Sequence, residues 1–293
     1  MSLAKSQPSL STSFAGCGNC VTQIGHFSWQ IQLFYYLCTD KSKDSSSFNT
    51  QIVMIYINRI TNRRPKEERQ EYPYSIPAIR NLETFEFKSN VTFIVGENGA
   101  GKSTFIEAIA ICAGFNPEGG STFLSHHTYD THSSLFGDLR LTRGPYRNKD
   151  GFFLRAESFY NVASEIDRIS ESWQLDANYG GSIHARSHGE GFLGVILNRL
   201  SGNGLYIFDE PESALSVMSL LTLMAKMREL EKANSQFIIA THSPILLAYP
   251  EAEIYAITDD GLRLTSYEDT EQYQLTRQFI LNREVFIKEL MNE

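Results

Sequence analysis

One eight-residue loop constrains the fold of this chain more than any other feature. Residues 96–103 read Gly-Glu-Asn-Gly-Ala-Gly-Lys-Ser, which fits the pattern G-x-x-x-x-G-K-[ST] at every position. The apolar run Val91–Val95 precedes the loop, and a segment with Ile106, Ile109 and Ala110 on one helical face follows it. The pattern therefore predicts a strand, a phosphate-binding loop and a helix, in that order.

The residue types in this loop explain why it would hold phosphate. Glycine permits backbone angles that turn successive N–H groups inward, and the helix N-terminus adds its dipole. We expect Lys102 to reach the β- and γ-phosphates and Ser103 to ligate Mg²⁺ through its hydroxyl group. The nucleotide-binding residues predicted here are Gly96, Glu97, Asn98, Gly99, Ala100, Gly101, Lys102, Ser103 and Thr104. A glycine-rich turn that binds nothing is the alternative, and the flanking strand and helix disfavour it.

A second group of residues delivers two carboxylates at the end of an apolar run. Residues 205–208 read Leu-Tyr-Ile-Phe, and Asp209 and Glu210 follow them. In a parallel sheet such a strand places its acids beside the phosphate loop. We expect Asp209 to hold Mg²⁺, commonly through water, and Glu210 to act as general base toward the attacking water. An ordinary strand followed by a polar turn is the alternative.

The remaining sequence divides into two regions. Residues 1–50, rich in Ser, Thr, Gln and Gly, are interpreted as a poorly specified extension, and residues 51–293 as one domain. Within that domain the sequence predicts strands at 55–60, 84–88, 152–156 and 237–241, a hairpin of 253–257 with 262–265, and helices at 158–173, 192–200, 214–234 and 272–291. Apolar strands alternating with helices predict a mostly parallel sheet covered on both faces, an α/β fold.

Composition narrows the possible environments and partners. The net charge of −8 gives no broad attraction to nucleic acid or to an anionic membrane, although a local basic groove remains possible. No stretch approaches the ~20 consecutive apolar residues of a membrane span, and no secretory signal is evident. We therefore expect a cytoplasmic protein that does not insert into a membrane. Cys17, Cys20, His26 and Cys38 could supply zinc ligands, but their spacing matches no standard zinc module.

Four motifs in a fixed order carry a family resemblance. After the phosphate loop, residues 186–191 read Arg-Ser-His-Gly-Glu-Gly ahead of a helix, and Asp-Glu-Pro at 209–211 precedes Ser-Ala-Leu-Ser at 213–216. Thr-His-Ser at 241–243 ends the next apolar strand. These residues resemble the signature, acidic motif, D-loop and switch histidine of ABC-type ATPases. The likeness spans roughly residues 52–293 and is greatest to the soluble branch, which includes chromosome-maintenance and recombination-repair ATPases, and to compact bacterial "predicted ATPase" proteins.

The resemblance implies an architecture and a shared site. The fold would be an ABC-type ATPase head: a P-loop NTPase with a RecA-like, mostly parallel sheet, an antiparallel β layer and a short helical lobe. Two protomers would face each other head to tail, with each ATP between one phosphate loop and the partner's signature. Ser187 and the backbone of Gly189 would contact the γ-phosphate of the opposite protomer. His188 and Glu190 depart from the commonest signature, which leaves the role of His188 open.

Other positions carry weaker interpretations. In the family, a loop after a strand links the metal to the helical lobe, usually through Gln, and Glu157 might substitute for it here. Arg155 could meet phosphate, but either residue could equally be a solvated charge. Tyr72 or Tyr74 could stack on adenine, with a surface or core tyrosine as the favoured alternative. The histidines at 126, 127 and 132 are interpreted as loop residues.

The resemblance also implies a reaction and three candidate roles. With Lys102, Glu210 and His242 as catalytic residues, the expected reaction is Mg²⁺-dependent hydrolysis of ATP, and His242 would sense the γ-phosphate. The cycle could drive an ATPase that acts on nucleic acid or on a partner protein. Alternatively, the chain could be a binding switch with negligible turnover, or the nucleotide-binding subunit of a transporter.

Overall fold

The computed structural model of this chain describes residues 54–121, 133–169 and 188–291. The predicted extension of residues 1–50, with its possible zinc ligands, lies outside the described residues. So do Ser187 and the histidines at 126, 127 and 132.

The described strands form two sheets. In chain order they are β1 (Ile57–Asn62), β2 (Thr84–Glu86), β3 (Val91–Val95), β4 (Leu139–Arg143), β5 (Asp150–Arg155), β6 (Gly204–Asp209), β7 (Gln236–Ala240), β8 (Glu253–Thr258) and β9 (Gly261–Thr265). The larger sheet has the order β5-β6-β7-β3-β8-β9, and the smaller has the order β2-β1-β4. All neighbours in the larger sheet are parallel except β8 and β9, which form the predicted hairpin.

Most of the described helices pack against the larger sheet, and the others lie outside it. They are α1 (Pro77–Arg80), α2 (Lys102–Ala113), α3 (Leu135–Asp138), α4 (Phe159–Ile169), α5 (His188–Arg199), α6 (Val217–Lys232), α7 (Pro244–Leu247), α8 (Glu271–Leu281) and α9 (Arg283–Met291). Short 3-10 turns occupy Lys66–Glu68 and Pro211–Ala214. Within the described part of the chain, no helix combines the length and apolarity that crossing a membrane requires.

The central strands explain why the larger sheet is buried on both faces. Every residue of β3, β6 and β7 is buried, as their continuous apolar sequences predict. Successive side chains point to opposite faces. In β3, Phe93 and Val95 join a core with α4, α5 and α6, whereas Ile94 joins a second core with α2 and the smaller sheet. The predicted α/β fold with a mostly parallel sheet is confirmed.

The smaller sheet is the predicted antiparallel layer. β1 pairs in antiparallel fashion with β2 and with β4. The side chain of Gln236, the first residue of β7, links the two sheets: its Oε1 accepts hydrogen bonds from the backbone N–H groups of Tyr56 at 2.8 Å and Ile57 at 2.9 Å, and its Nε2 donates to the carbonyl oxygen of Ile57 at 3.1 Å. The buried amide fixes the layer against the parallel sheet.

Two of the predicted helices differ in extent from the observed ones, and one strand was not predicted. The helix predicted at 214–234 begins at Val217, because Ser216 caps it by accepting a hydrogen bond from the N–H of Ser219 at 3.2 Å. The helix predicted at 272–291 is two helices, α8 and α9, separated at Asn282. Strand β4 was not predicted, since its polar residues alternate with Leu139 and Leu141 over only five positions.

Candidate functional site

The phosphate loop connects the carboxyl end of β3 to the first residue of α2. Gly99 and Gly101 adopt left-handed backbone angles, with φ of 82° and 98°. A side chain at Gly101 would also bring its Cβ to 3.0 Å from Cγ2 of Ile76. Glycine at position 101 is therefore required both by the backbone conformation and by the space available.

The Lys102 ammonium group folds back across the loop. Its Nζ donates hydrogen bonds to the carbonyl oxygens of Gly96 at 3.1 Å and Glu97 at 3.0 Å. Burial lowers the pKa of Lys102, and the nearby carboxylates, Glu210 first among them, oppose that shift. The cation is thus held inside the loop, where the motif places phosphate oxygens.

Ser103 and Asp209 meet at the adjoining edge of the sheet. The Ser103 hydroxyl donates a hydrogen bond of 3.1 Å to Oδ1 of Asp209, the last residue of β6. Burial raises the pKa of Asp209 to about 6, while the Arg155 guanidinium and the Ser103 hydrogen bond act in the opposite direction. A hydroxyl and a carboxylate oxygen at this separation are hard ligands of the type that Mg²⁺ accepts together with several waters. The donor set therefore fits Mg²⁺.

Glu210 and His242 face each other where β6 and β7 end. Glu210 has left-handed angles, φ 49° and ψ 54°, which cost a non-glycine residue of order 1–3 kcal/mol. Its backbone N–H donates to the carbonyl oxygen of Ala240 at 3.0 Å, and this bond holds the turn. Oε1 of Glu210 lies 3.6 Å from Nε2 of His242. The structure thus brings together two side chains that lie 32 positions apart in the sequence.

Ser103, Asp209 and Glu210 border an open cavity of about 430 Å³. Its lining consists of Ser103, Arg155, Ala156, Glu157, Asp209, Glu210, Ser213 and Ala214. Glu157, a predicted metal ligand, lies at this cavity, but its side chain is 85% exposed and pairs with Nη2 of Arg155 at 3.5 Å. In this structure Glu157 neighbours the Ser103–Asp209 pair and contacts Arg155.

Two known families and several curated proteins match parts of this sequence. A family described as "AAA domain" matches residues 74–177, and a family described as "AAA domain, putative AbiEii toxin, Type IV TA system" matches residues 172–248. The arabinose import ATP-binding protein AraG of Escherichia coli is 24% identical over 228 residues. In its motif order and sheet topology the chain resembles the ABC-type P-loop ATPases. Its fold is that of an α/β P-loop NTPase.

The curated relatives of this chain are distant and mostly longer. The AraG alignment covers 68% of the chain and 43% of AraG. The macrolide export ATP-binding/permease protein MacB of Hahella chejuensis is 24% identical over 209 residues, which are 60% of the chain and 29% of MacB. An uncharacterized ABC transporter ATP-binding protein of Haemophilus influenzae is 26% identical over 55% of the chain and 67% of its own length. The chain thus spans less than half the length of AraG and MacB.

Solved structures with similarity to the chain include ATPase heads and cassettes. The SMC head domain from Thermotoga maritima shares 15% identity, with a TM-score of 0.39, over 72% of this chain and 99% of that one. A dimeric bacterial ABC transporter cassette shares 16% identity, with a TM-score of 0.40, over 65% of this chain and 92% of that one. Both TM-scores are below 0.5, and the fold is established by the strand order and phosphate loop described above.

The predicted signature, residues 186–191, overlaps the first turn of α5. Ser187 precedes the described residues, whereas Gly189 lies in the first turn of α5. A Cβ added at Gly189 would lie 2.8 Å from the carbonyl oxygen of Ala214. The first turn of α5 therefore packs directly against the 3-10 turn Pro211–Ala214, which follows Glu210. This close approach requires glycine at position 189 whatever its role toward phosphate.

Sequence reasoning did not resolve the role of Arg155, which the structure places between buried acids. Its Nη1 donates a 2.6 Å hydrogen bond to Oε2 of Glu107, and its Nε lies 3.5 Å from Oδ2 of Asp209. The Arg155 side chain is 19% exposed, Glu107 9% and Asp209 5%. Arg155 is therefore not a solvated charge. The sequence signal for this ion pair was Glu107, a single acid in the mostly apolar sequence of α2, because a buried acid needs a cation.

A second unpredicted contact joins Glu212 to His242. One carboxylate oxygen of Glu212 accepts a hydrogen bond from the backbone N–H of His242. The other, Oε2, has no hydrogen-bond partner among the described residues, and burial raises the pKa of the Glu212 carboxyl. Glu212 thus fixes the backbone of the residue that faces Glu210.

The two tyrosines considered for adenine stacking have different environments. Tyr74 is 1% exposed, and its hydroxyl donates to Oδ2 of Asp138 at 2.9 Å and contacts Oδ1 of Asn62 at 3.2 Å. It is a core residue and cannot stack on a ligand. Tyr72 is exposed at the surface.

Proposed function

We propose that this ABC-type ATPase binds ATP with Mg²⁺ and hydrolyses it to ADP and phosphate. The observation that carries this proposal is the 3.1 Å contact between Ser103 Oγ and Asp209 Oδ1, beside Lys102 and Glu210. Two oxygen ligands, a phosphate-binding cation and a carboxylate base are the parts that this reaction needs.

Each of these side chains has a distinct role in the proposed reaction. Lys102 binds the β- and γ-phosphate oxygens, and the N–H groups of residues 96–104 surround them. When bound between Ser103 and Asp209, Mg²⁺ supplies positive charge that offsets the charge of the phosphates. Glu210 takes a proton from the attacking water as the new bond to the γ-phosphorus forms and the bond to the ADP oxygen breaks. His242 donates a hydrogen bond to the γ-phosphate. Glu157, which borders the same cavity, would be a further residue that could hold the metal.

Phosphate release from a Glu210→Gln variant tests the catalytic part of this proposal. We expect release at least about 100-fold slower than wild type, with ATP still bound, because the amide cannot accept the proton. Glu229→Gln, an exposed position on α6, is the matched control and should keep the wild-type rate. Unchanged turnover in Glu210→Gln would remove Glu210 from the mechanism. Binding of ATP by the wild type without any phosphate release would instead support the binding switch.

We further propose that ATP lies between two copies of the chain. Ser187 and the Gly189 backbone of one copy would contact the γ-phosphate held by the other. The N-terminus of α5 supports this proposal, because the N–H groups and the dipole of a helix N-terminus favour a bound anion. Closure would follow ATP binding, and opening would follow hydrolysis.

Mixing two inactive variants tests the shared site. Lys102→Ala damages only the phosphate loop, and Ser187→Arg damages only the signature. In a mixed pair, one of the two shared sites carries neither substitution, so phosphate release should recover well above that of either variant alone. A mixture as inactive as its components would contradict the shared site. Mixing Lys102→Ala with itself at the same total concentration is the control.

We propose that the cycle acts on nucleic acid or on a partner protein in the cytoplasm. The test is stimulation of phosphate release by DNA, RNA or a co-purifying protein. The similarity to AraG and MacB, an import and an export protein, favours a second candidate, the nucleotide-binding subunit of a transporter. Co-purification with a membrane protein, and no response to nucleic acid, would favour this second candidate.

A further inference from the structure

The last two helices of the described chain expose an unusual amount of apolar surface. Neither α8 nor α9 buries a single residue against the described residues. Of the fifteen exposed large apolar side chains in the described part of the chain, eight lie on these helices: Leu275, Phe279, Ile280, Leu281, Val285, Ile287, Leu290 and Met291. We call these eight side chains the C-terminal apolar surface.

The length of these helices makes their exposure costly. They contain 11 and 9 residues, whereas isolated helices shorter than about 12–15 residues are marginal in water. Within the pair, the Phe279 and Phe286 rings meet edge to face with centroids 5.9 Å apart. Thr270 caps α8 by accepting a hydrogen bond from the N–H of Tyr273 at 3.4 Å. These contacts define the pair but leave its outer faces in water, so packing from outside would stabilise it.

The charges around this surface indicate the chemistry of its occupant. The two helices carry three acidic residues, Glu271, Glu284 and Glu289, and three basic residues, Arg277, Arg283 and Lys288. A balanced surface attracts neither nucleic acid nor an anionic membrane, and the net charge of the chain, −8, disfavours both. The same balance suits pairing with itself, because a two-fold axis can set each acidic residue near a basic residue of the other copy.

The size of the surface also suits a dimer. With side chains that are 37% to 69% exposed, the eight residues present on the order of 800 Å². A standard stable interface buries about 800 Å² per partner. We infer that the C-terminal apolar surface is a homodimer interface, through which two copies of the chain associate whether or not nucleotide is present. This interface is separate from the proposed ATP-bridged one.

The mass of the full chain in solution, measured by light scattering after gel filtration without nucleotide and with a metal chelator, tests this inference. Wild type should run at twice the chain mass of 33.2 kDa. The double variant Leu275→Glu, Ile280→Glu should run at the mass of one chain, with a dimer dissociation constant raised at least about 100-fold. The control double variant, Tyr146→Glu with Leu264→Glu, changes equally exposed side chains elsewhere and should remain dimeric.

Several outcomes would overturn the inference. They are a monomeric wild type at micromolar concentration, a Leu275→Glu, Ile280→Glu variant that stays dimeric, or loss of the dimer in the control. Binding of a monomeric wild type to neutral lipid vesicles would assign the surface to a membrane instead. A circular dichroism melt of each variant shows whether it is folded. Because no nucleotide is present, failure here leaves the proposed hydrolysis intact, and inactive Glu210 chemistry leaves this dimer intact.

Discussion

Replacing Arg155 with methionine should be among the most destabilising single changes in this protein. Arg155 is the cation that pairs with both Glu107 and Asp209, and both acids are almost fully buried. Methionine keeps much of the side-chain volume but leaves the two carboxylates without a cation. Breaking a buried ion pair by removing one partner costs about 3–5 kcal/mol, a large share of a typical total stability of about 5–15 kcal/mol.

The loss should depend on pH in a defined direction. The pKa of Asp209 in the folded protein is raised to about 6, above its unfolded value of 3.8, so the stability linked to this group falls as pH rises through that window. Arg155 lowers the pKa of Asp209, and its removal should therefore move the folded pKa further up. The deficit of the variant should be complete above that new pKa, should shrink as pH falls from it to about 6, and should level off below about 6.

Urea unfolding without nucleotide or Mg²⁺, followed from about pH 8 to about pH 5, measures this effect. With a slope of about 3 kcal/mol per molar urea, the midpoint should fall by about 1–1.7 M at the alkaline end. Arg59→Met is the matched control: Arg59 pairs with Glu86 at the surface, where such pairs contribute at most about 1 kcal/mol. A loss in Arg155→Met no larger than in this control, or one that grows on acidification, would refute the reasoning.

Three further predictions concern the site. Lys102→Ala should weaken ATP binding at least about 100-fold in a fluorescent-nucleotide titration, because the phosphates lose their cation; binding near wild-type strength would contradict this role. Glu212→Ala should slow phosphate release about tenfold without weakening ATP binding, because the His242 N–H loses its acceptor. Glu212→Gln should keep most of the rate, because the amide oxygen can still accept this hydrogen bond. Equal losses in both variants would contradict this role of Glu212. Gly189→Ala should lower the free energy of unfolding by about 1–3 kcal/mol in urea, because its Cβ would meet the Ala214 carbonyl; an unchanged midpoint would contradict it.

The parts of the fold that could be predicted are those fixed by local rules. Strand β3 occupies the predicted residues, Val91–Val95, because an apolar run before a glycine-rich loop leaves few alternatives. The same holds for β6, since its acids follow four apolar residues. The meeting of Ser103 with Asp209 followed from the parallel sheet, because parallel strands deliver their carboxyl ends to one edge.

The parts that could not be predicted depend on contacts between distant residues. Arg155 and Glu107 are 48 positions apart, and Glu212 and His242 are 30 apart, so no periodic pattern links either pair. Strand β4 pairs with β1, and the paired residues, from Ile57 with Arg143 to Asn62 with Leu139, are far apart in the sequence. The short alternating sequence of β4 carries little signal of its own. The break between α8 and α9 at Asn282 likewise has no Gly or Pro to mark it.

The close approach of Gly189 to the Ala214 carbonyl bears on how hydrolysis at the two sites of the proposed pair is coordinated. In the proposed pair, the first turn of α5 reads the nucleotide of the partner, whereas the turn Pro211–Ala214 adjoins Glu210, which acts on the protomer's own nucleotide. Because a Cβ at position 189 would lie only 2.8 Å from the Ala214 carbonyl oxygen, a shift of either turn would press on the other. Nucleotide bound at one site would then affect the conformation of the other site. The two hydrolysis events would therefore be coupled.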